Sequence, residues 1–386
     1  MKKKLEKSIH KVEKWVEDHE YKGYEPFDGL SSSLRFLTFD NLFMDRLLMQ
    51  LIRQSPLNLR PLFGVKPLDS TIGRGYMVGG YLSMLRLTGD EKYKNKAVSC
   101  LDWLMENKSP DFADYSWGKH FDFASRGGRY PKFEPITIWT SLIGLEFIDA
   151  YEELQEKKYL GVAESVCNWI MKLQRNQTNT GFCFNYYPSE KNGSTIHNHS
   201  MMAAAMLART ARHTKNPVYM NVASEAMKFS CTRQLSDGAW YYGEDPKYHW
   251  IDNFHTGYNL SSLKAYIESS GDQTYAENLR RGLKFMKDNF FEENGRPKYY
   301  HNRAYPIDSQ CASQAIETLA TFADYDKSSL DLALTIAQWT IDNMQDEEGY
   351  FYYRQYPLIK AKTPMLHWAQ ATTYKALALL FSKMRQ

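Results

Sequence analysis

Hydrophobic positions recur along this chain in two alternating styles. In "EKYKNKAVSCLDWLM" the residues Tyr93, Ala97, Leu101 and Leu104 fall on one side of a helix, and charge occupies the rest. Further on, "TIWTSLIGLEFIDAY" carries apolar or small residues on nearly every side. A one-sided helix belongs to an outer layer, whereas a helix apolar all round needs neighbours on both flanks. Between the two styles runs a loop holding a glycine and several aromatics. The unit recurs through helix ends "CLDWLMENK", "VCNWIMKLQ", "AMKFSCTRQ", "GLKFMKDNF" and "IAQWTIDNM", whose aligned aromatics are Trp103, Trp169, Phe229, Phe285 and Trp339. Trp15, in the amphipathic "MKKKLEKSIHKVEKWVEDHE", marks a sixth copy followed by a long insertion.

Repeats of this length are supersecondary units that bury their faces only by stacking. Six hairpins predict an all-α fold, an (α/α)6 toroid with inner and outer helix rings, spanning 1–386 as a single domain. An open solenoid stacks such units equally well. No stretch alternates at strand period for long enough to predict a β domain. The turns "LTGDEKY", "HTKNPVY" and "SSGDQTY" are short and polar, while the aromatic loops are longer. A closed ring would therefore have one plain face and one loop-rich face, with every inner helix starting at the latter.

Composition sharpens this picture in two places. Aromatic residues make up 15% of the chain, and many lie in the loops, where flat side chains suit stacking on sugar rings. A net charge of +3 is too mild for nucleic acid. The lysines at the N-terminus precede a helix and not an apolar signal core, and no run approaches the roughly 20 apolar residues of a membrane span. Five scattered cysteines suggest reduced thiols in the cytoplasm.

Candidate chemistry then follows from the starts of the inner helices. "WIDNFHTGYNL" places Asp252 and His255 three apart on one face, and "YPIDSQCASQ" places Asp308 at the equivalent point one repeat later. Aspartate is also a preferred helix N-cap, so both have a structural reading. As a pair they suggest the two carboxylates of glycoside cleavage. His197 and His199 open the preceding inner helix in "TIHNHSMM", and seven of ten histidines, His367 among them, fall in loop-side segments. No Cys-x-x-Cys or His-Glu-x-x-His supports a metal, and no cofactor motif is present. "SWGKHFDFASRGGRY" offers Trp117, Lys119, Asp122, Arg126 and Arg129; arginine forks suit a carboxylate, hence a uronic or other acidic sugar. Tyr242, Trp250, Tyr300, Tyr305 and Tyr353 are candidate stacking walls.

The whole-length architecture resembles the six-hairpin glycosidase superfamily, which includes unsaturated glucuronyl hydrolases, sugar 2-epimerases and the helical domains of uronyl epimerases and polysaccharide lyases. More closely, "GYEPFDGLSS", "NLRPLFGV", "WGKHFDFASR" and "WIDNFHTGY" are similar to a family associated with surface-polysaccharide gene clusters. Some of its members carry an aminolevulinate dehydratase label, which implies a β/α barrel that this pattern does not fit. The resemblance implies a carbohydrate context and carries over no catalytic residue.

The resulting expectation is a cytoplasmic enzyme acting by general acid/base catalysis on an oligosaccharide or polysaccharide. Asp252 and Asp308 would be its carboxylates, assisted by His255 and His199. Arg126 would hold a substrate carboxylate, and Trp117, Lys119, Asp122, His197, Tyr242, Trp250 and His367 would line the site. Hydrolysis is the first expectation, uronyl epimerization or elimination the second, and a non-catalytic sugar-binding subunit the third.

Overall fold

The computed structural model describes residues 1–125 and 128–384. Thirteen α-helices occur among them: α1 (Lys2–Asp18), α2 (Leu42–Gln54), α3 (Thr71–Thr88), α4 (Glu91–Glu106), α5 (Thr137–Leu154), α6 (Lys157–Met171), α7 (His197–Thr214), α8 (Pro217–Cys231), α9 (Asn253–Ser270), α10 (Ala276–Asn289), α11 (Ser309–Thr321), α12 (Lys327–Met344) and α13 (Thr372–Lys383). A wide π-helical turn, Leu366–Ala371, leads into α13.

The inner ring is α3, α5, α7, α9, α11 and α13, each packed on the next, and α13 packs back on α3. The ring is closed, and the fold is the (α/α)6 toroid expected from the repeats. Burial follows the two hydrophobic styles. Every residue of α3 from Thr71 to Met84 is buried, whereas α4 buries only Tyr93, Ala97, Cys100, Leu101 and Leu104. The outer ring is α1, α4, α6, α8, α10 and α12, with α1 closing it against α12 and α13.

The loop glycines show why the repeat is so regular. Gly181, Gly238, Gly295 and Gly349 all have positive φ, which glycine adopts without Cβ strain. A Cβ on Gly238 would lie 2.5 Å from the Arg281 carbonyl on α10, and one on Gly295 2.6 Å from that of Thr335 on α12. At Gly349 the same contact is made with Lys11 of α1, so the joint between last and first hairpins repeats the joint used elsewhere.

Among the described residues, short antiparallel ribbons lie in the long loops, at 22–23 with 68–69, 123–125 with 128–130, 175–178 with 181–184, and 354–355 between 307–308 and 360–361. They order the loop-rich face where the inner helices begin. α2 belongs to the insertion after α1 and lies across that face, against the 28–31 turn and the 123–125 strand. No described helix is long and apolar enough to cross a membrane.

Candidate active site

The start of α9 carries a carboxylate–imidazole dyad. Asp252 is the N-cap: Oδ1 accepts the His255 backbone N–H at 3.0 Å. Its Oδ2 accepts Nδ1–H of the His255 ring at 2.7 Å and the Trp250 indole N–H at 2.9 Å. Capping and positioning are thus one arrangement. Asp252 is buried, but the His255 side chain keeps 18% of its surface exposed. Among the described residues nothing hydrogen-bonds its Nε2. With Nδ1 donating to a carboxylate, Nε2 carries the lone pair, which is the tautomer of a general base. Tyr242 lies 4.4 Å from the His255 ring and stacks on Trp250 at 4.6 Å, forming a flat wall beside the imidazole.

Asp308, at the matching position of α11, is arranged differently. Its Oδ1 accepts from the Gln310 backbone N–H at 2.9 Å and from the Trp368 indole at 2.6 Å, and its Oδ2 is ion-paired with Arg354. It has no exposed surface. All four oxygens of Asp252 and Asp308 are occupied by internal donors, which disfavours the expected pair of working carboxylates. A proton on either Oδ2 would displace the His255 ring from Asp252 or break the ion pair of Asp308 with Arg354.

A second dyad stands at the entry to α13. His367 bonds through Nδ1 to Glu25 of the insertion, and burial pushes its pKa down to about 3, so the ring is neutral. The other Glu25 oxygen is buried without a partner. The dyads communicate through rings: Phe254 lies 3.9 Å from His255 and 5.5 Å from Trp368, and Trp368 lies 5.7 Å from His367.

Phe27 joins this cluster to two cations. The Arg53 guanidinium of α2 lies 4.5 Å above its ring and donates to the Tyr353 hydroxyl at 3.2 Å. The Lys119 amine lies 5.1 Å from Phe27 and 4.7 Å from Trp139, buried and without a hydrogen-bond partner among the described residues. Burial pushes its pKa down to about 7, since an enclosed ammonium loses its hydration. Asp28, close by, is held up by burial against the opposing pull of Arg60.

Other expected site residues are structural. Trp117 is fully buried, donates to the Leu104 carbonyl at 2.9 Å and stacks on Phe147; it is core and not a sugar platform. His199 is fully buried, its Nε2 on the Phe184 carbonyl at 2.8 Å, and burial lowers its pKa to about 4. His197 is buried between Ser230 (3.1 Å) and Glu244 (2.8 Å). An inner helix that is apolar all round covers its first turn too, which is why both rings are enclosed. Their separate partners also remove them as a His-x-His metal pair. Asp122 is tied to Arg35 and the Lys132 backbone, and Arg129 to Asp45 at 2.6 Å, so neither faces a substrate unpaired. Arg126, expected to hold a substrate carboxylate, lies outside the described residues. Tyr305 and Tyr300 lie beside Arg296 and Arg303, and Tyr353 is buried.

The floor of the funnel is a hydrogen-bonded layer. Tyr76 and Tyr258 share a 2.7 Å bond, and Gln310 donates to Tyr258 at 2.8 Å. Below it, a cavity of about 370 Å³ occupies the plain-face half of the lumen, where Lys375 bridges Glu146 (2.7 Å) and Glu317 (2.8 Å). Its acids and bases largely neutralise one another, and it holds no imidazole.

The residues missed from the sequence are Glu25, Phe27, Arg53, Trp139, Phe254 and Trp368. Glu25 and Phe27 fall within the quoted "GYEPFDGLSS", but nothing local shows that this insertion reaches the funnel.

Fold and site together define a helical toroid with a carboxylate–imidazole dyad beside stacked aromatics at the start of an inner helix. Comparison of the sequence with protein families and with curated proteins finds no match. Among solved structures, the chain is similar to cellobiose 2-epimerase from Bacillus thermoamylovorans, with a TM-score of 0.63 and 10% identity over 82% of this chain and 88% of that one. It is similar also to a GH76 α-mannanase from Bacteroides thetaiotaomicron (TM-score 0.62, 13% identity, 81% and 86% covered) and to a D-mannose isomerase (0.60, 12%, 82% and 87%). At such identities the likeness establishes the fold.

Proposed function

We propose that the chain is a carbohydrate-active enzyme that moves a proton at a sugar carbon beside a carbonyl, interconverting aldose epimers or an aldose and a ketose. The observation that carries this reading is the Asp252–His255 dyad, a positioned base with an unpaired Nε2 beside an aromatic wall, where the Asp252 and Asp308 carboxylates are both engaged. In this reading Tyr242 and Trp250 hold the sugar ring. His255 Nε2 takes the proton from the carbon next to the open-chain carbonyl, the C–H electron pair forms the enediolate, and the carbonyl oxygen takes up the charge. Arg53 and Lys119 stabilise that oxygen electrostatically. The proton returns from His255 to the same carbon, giving back the aldose, or to its other face once the enediolate has turned over, giving the epimer. Delivered to the neighbouring carbon, with the C2 hydroxyl proton passing to the C1 oxygen, it gives the ketose. Two of the structural neighbours are, by name, a sugar 2-epimerase and a sugar isomerase, which accords with this chemistry.

Hydrolysis, the first expectation from sequence, loses its basis with Asp308 neutralised by Arg354. The uronic-acid preference rests on Arg126, outside the described residues, and stays within this proposal; Arg129 is committed to Asp45. A place in surface-polysaccharide metabolism rests on the motif resemblance and belongs to this proposal, as does a cytoplasmic location. The test is NMR of reducing mono- and disaccharides incubated with the protein. Appearance of a C2 epimer or ketose with no new reducing end supports the reading. Chain cleavage would make the protein a hydrolase, and sugars that bind but return unchanged would make it a binding module.

A further inference from the structure

Ten of the fifteen large hydrophobic side chains exposed among the described residues come from one stretch, 36 to 62, formed by the turn before α2, α2 itself and the segment after it. Phe39 is 84% exposed, Leu62 77% and Phe43 69%, and Leu47 and Leu51 continue the stripe from Phe43 at four-residue steps. Together these side chains present on the order of 1,000 Å² of apolar surface, beyond the few hundred that a monomer ordinarily exposes and above the roughly 800 Å² per partner of a stable interface. Phe39 and Asp40 also hold left-handed backbone, φ 49° and 52°, which places Phe39 outward.

We infer that this face is where a second copy of the chain docks, through a two-fold contact of α2 on α2. The charges favour that occupant. The patch carries one exposed acid, Asp40, and one half-buried base, Arg46, a balanced pair that a two-fold contact can match across its axis. A membrane surface calls for free basic residues around the apolar stripe. Here Arg35 is bound to Asp122, Arg53 to Tyr353 and Arg60 to Asp28. Only Arg46 and Lys66 in this region are without a partner among the described residues. α2 reaches the funnel with its opposite side, where Arg53 lies over Phe27, so the interface forms at the rim of the candidate site. This inference is independent of the sugar chemistry.

The test is sedimentation equilibrium of the full chain at tens of micromolar, with thermal melts as a folding control. The wild type is expected at twice the 45.0 kDa chain mass. Leu47→Glu and Phe43→Asp, both at exposed positions, should halve the mass and keep a single cooperative melt, lower only by the stabilisation that association supplies. Leu358→Glu, at a fully exposed position elsewhere, should leave the dimer intact. A wild type that stays at the single-chain mass overturns the inference, and so does a dimer that survives both patch variants. A single-chain species that co-floats with vesicles of neutral and anionic phospholipid would assign the patch to lipid and equally overturn it.

Discussion

Asp252 and Asp308 occupy the same position in consecutive hairpins, and each caps its helix and accepts an indole N–H, from Trp250 and Trp368 respectively. They differ in one partner. Asp252 shares its remaining lone pairs with an imidazole on its own helix, and Asp308 with a guanidinium from the loop of the next hairpin. The first pairing leaves the ring Nε2 without a partner among the described residues, on a side chain that keeps 18% of its surface exposed. The second closes a buried ion pair and leaves nothing free. The Asp252 cap thus carries a ring that can serve as the base of the proposed chemistry, and the Asp308 cap does not.

That contrast can be broken most forcefully at His255. His255→Gln should lower turnover by about 10²–10⁴-fold, the contribution of a positioned general base, with the melting curve unchanged. Steady-state kinetics on the sugar found to react checks it. Asp308→Ala should act on the fold instead: Arg354 would remain buried without its counter-charge, costing about 3–5 kcal/mol in urea unfolding. A turnover loss without destabilisation would place Asp308 in the chemistry after all.

Lys119 gives the next effect. Its proton leaves near pH 7 in the folded chain but near 10.5 when unfolded, so between these values the unfolded chain binds more protons and wild-type stability rises with pH. Lys119→Met removes the enclosed amine, and should stabilise the chain by about 3 kcal/mol below pH 7. The gain should shrink as pH climbs toward 10.5; a pH-independent difference between the two unfolding curves would contradict it. The smallest effect is Asp252→Asn. Asparagine caps as well as aspartate, so stability should move by less than about 1 kcal/mol. An amide no longer holds the ring in its working tautomer, so turnover measured by steady-state kinetics should fall about 10- to 100-fold.

Much of this was legible in the chain. Two hydrophobic styles at a fixed period are enough to predict two helix layers, and the spacing of Asp252 and His255 is enough to put them on one face. Tertiary neighbours were not legible. Arg354 reaches Asp308 from the following loop, and no local pattern announces that pairing. Glu25 and Arg53 lie in the only insertion without a repeat to align it, and their place in the funnel depends on how α2 crosses the loop-rich face. The same insertion hides the exposed stripe of α2, because in sequence an apolar stripe looks alike whether it faces a core or water. Trp117 and His199 mislead for the opposite reason, since residues typical of sugar sites are equally good at filling an inner ring.

The central claim is that His255 moves a proton on and off a sugar carbon. Incubation of a reactive reducing sugar with the protein in deuterium oxide, followed by NMR, tests it directly. The account predicts deuterium at the carbon beside the carbonyl in recovered substrate and product, and its loss in His255→Gln. Conversion with that carbon–hydrogen bond intact, or exchange undiminished in the variant, would contradict it.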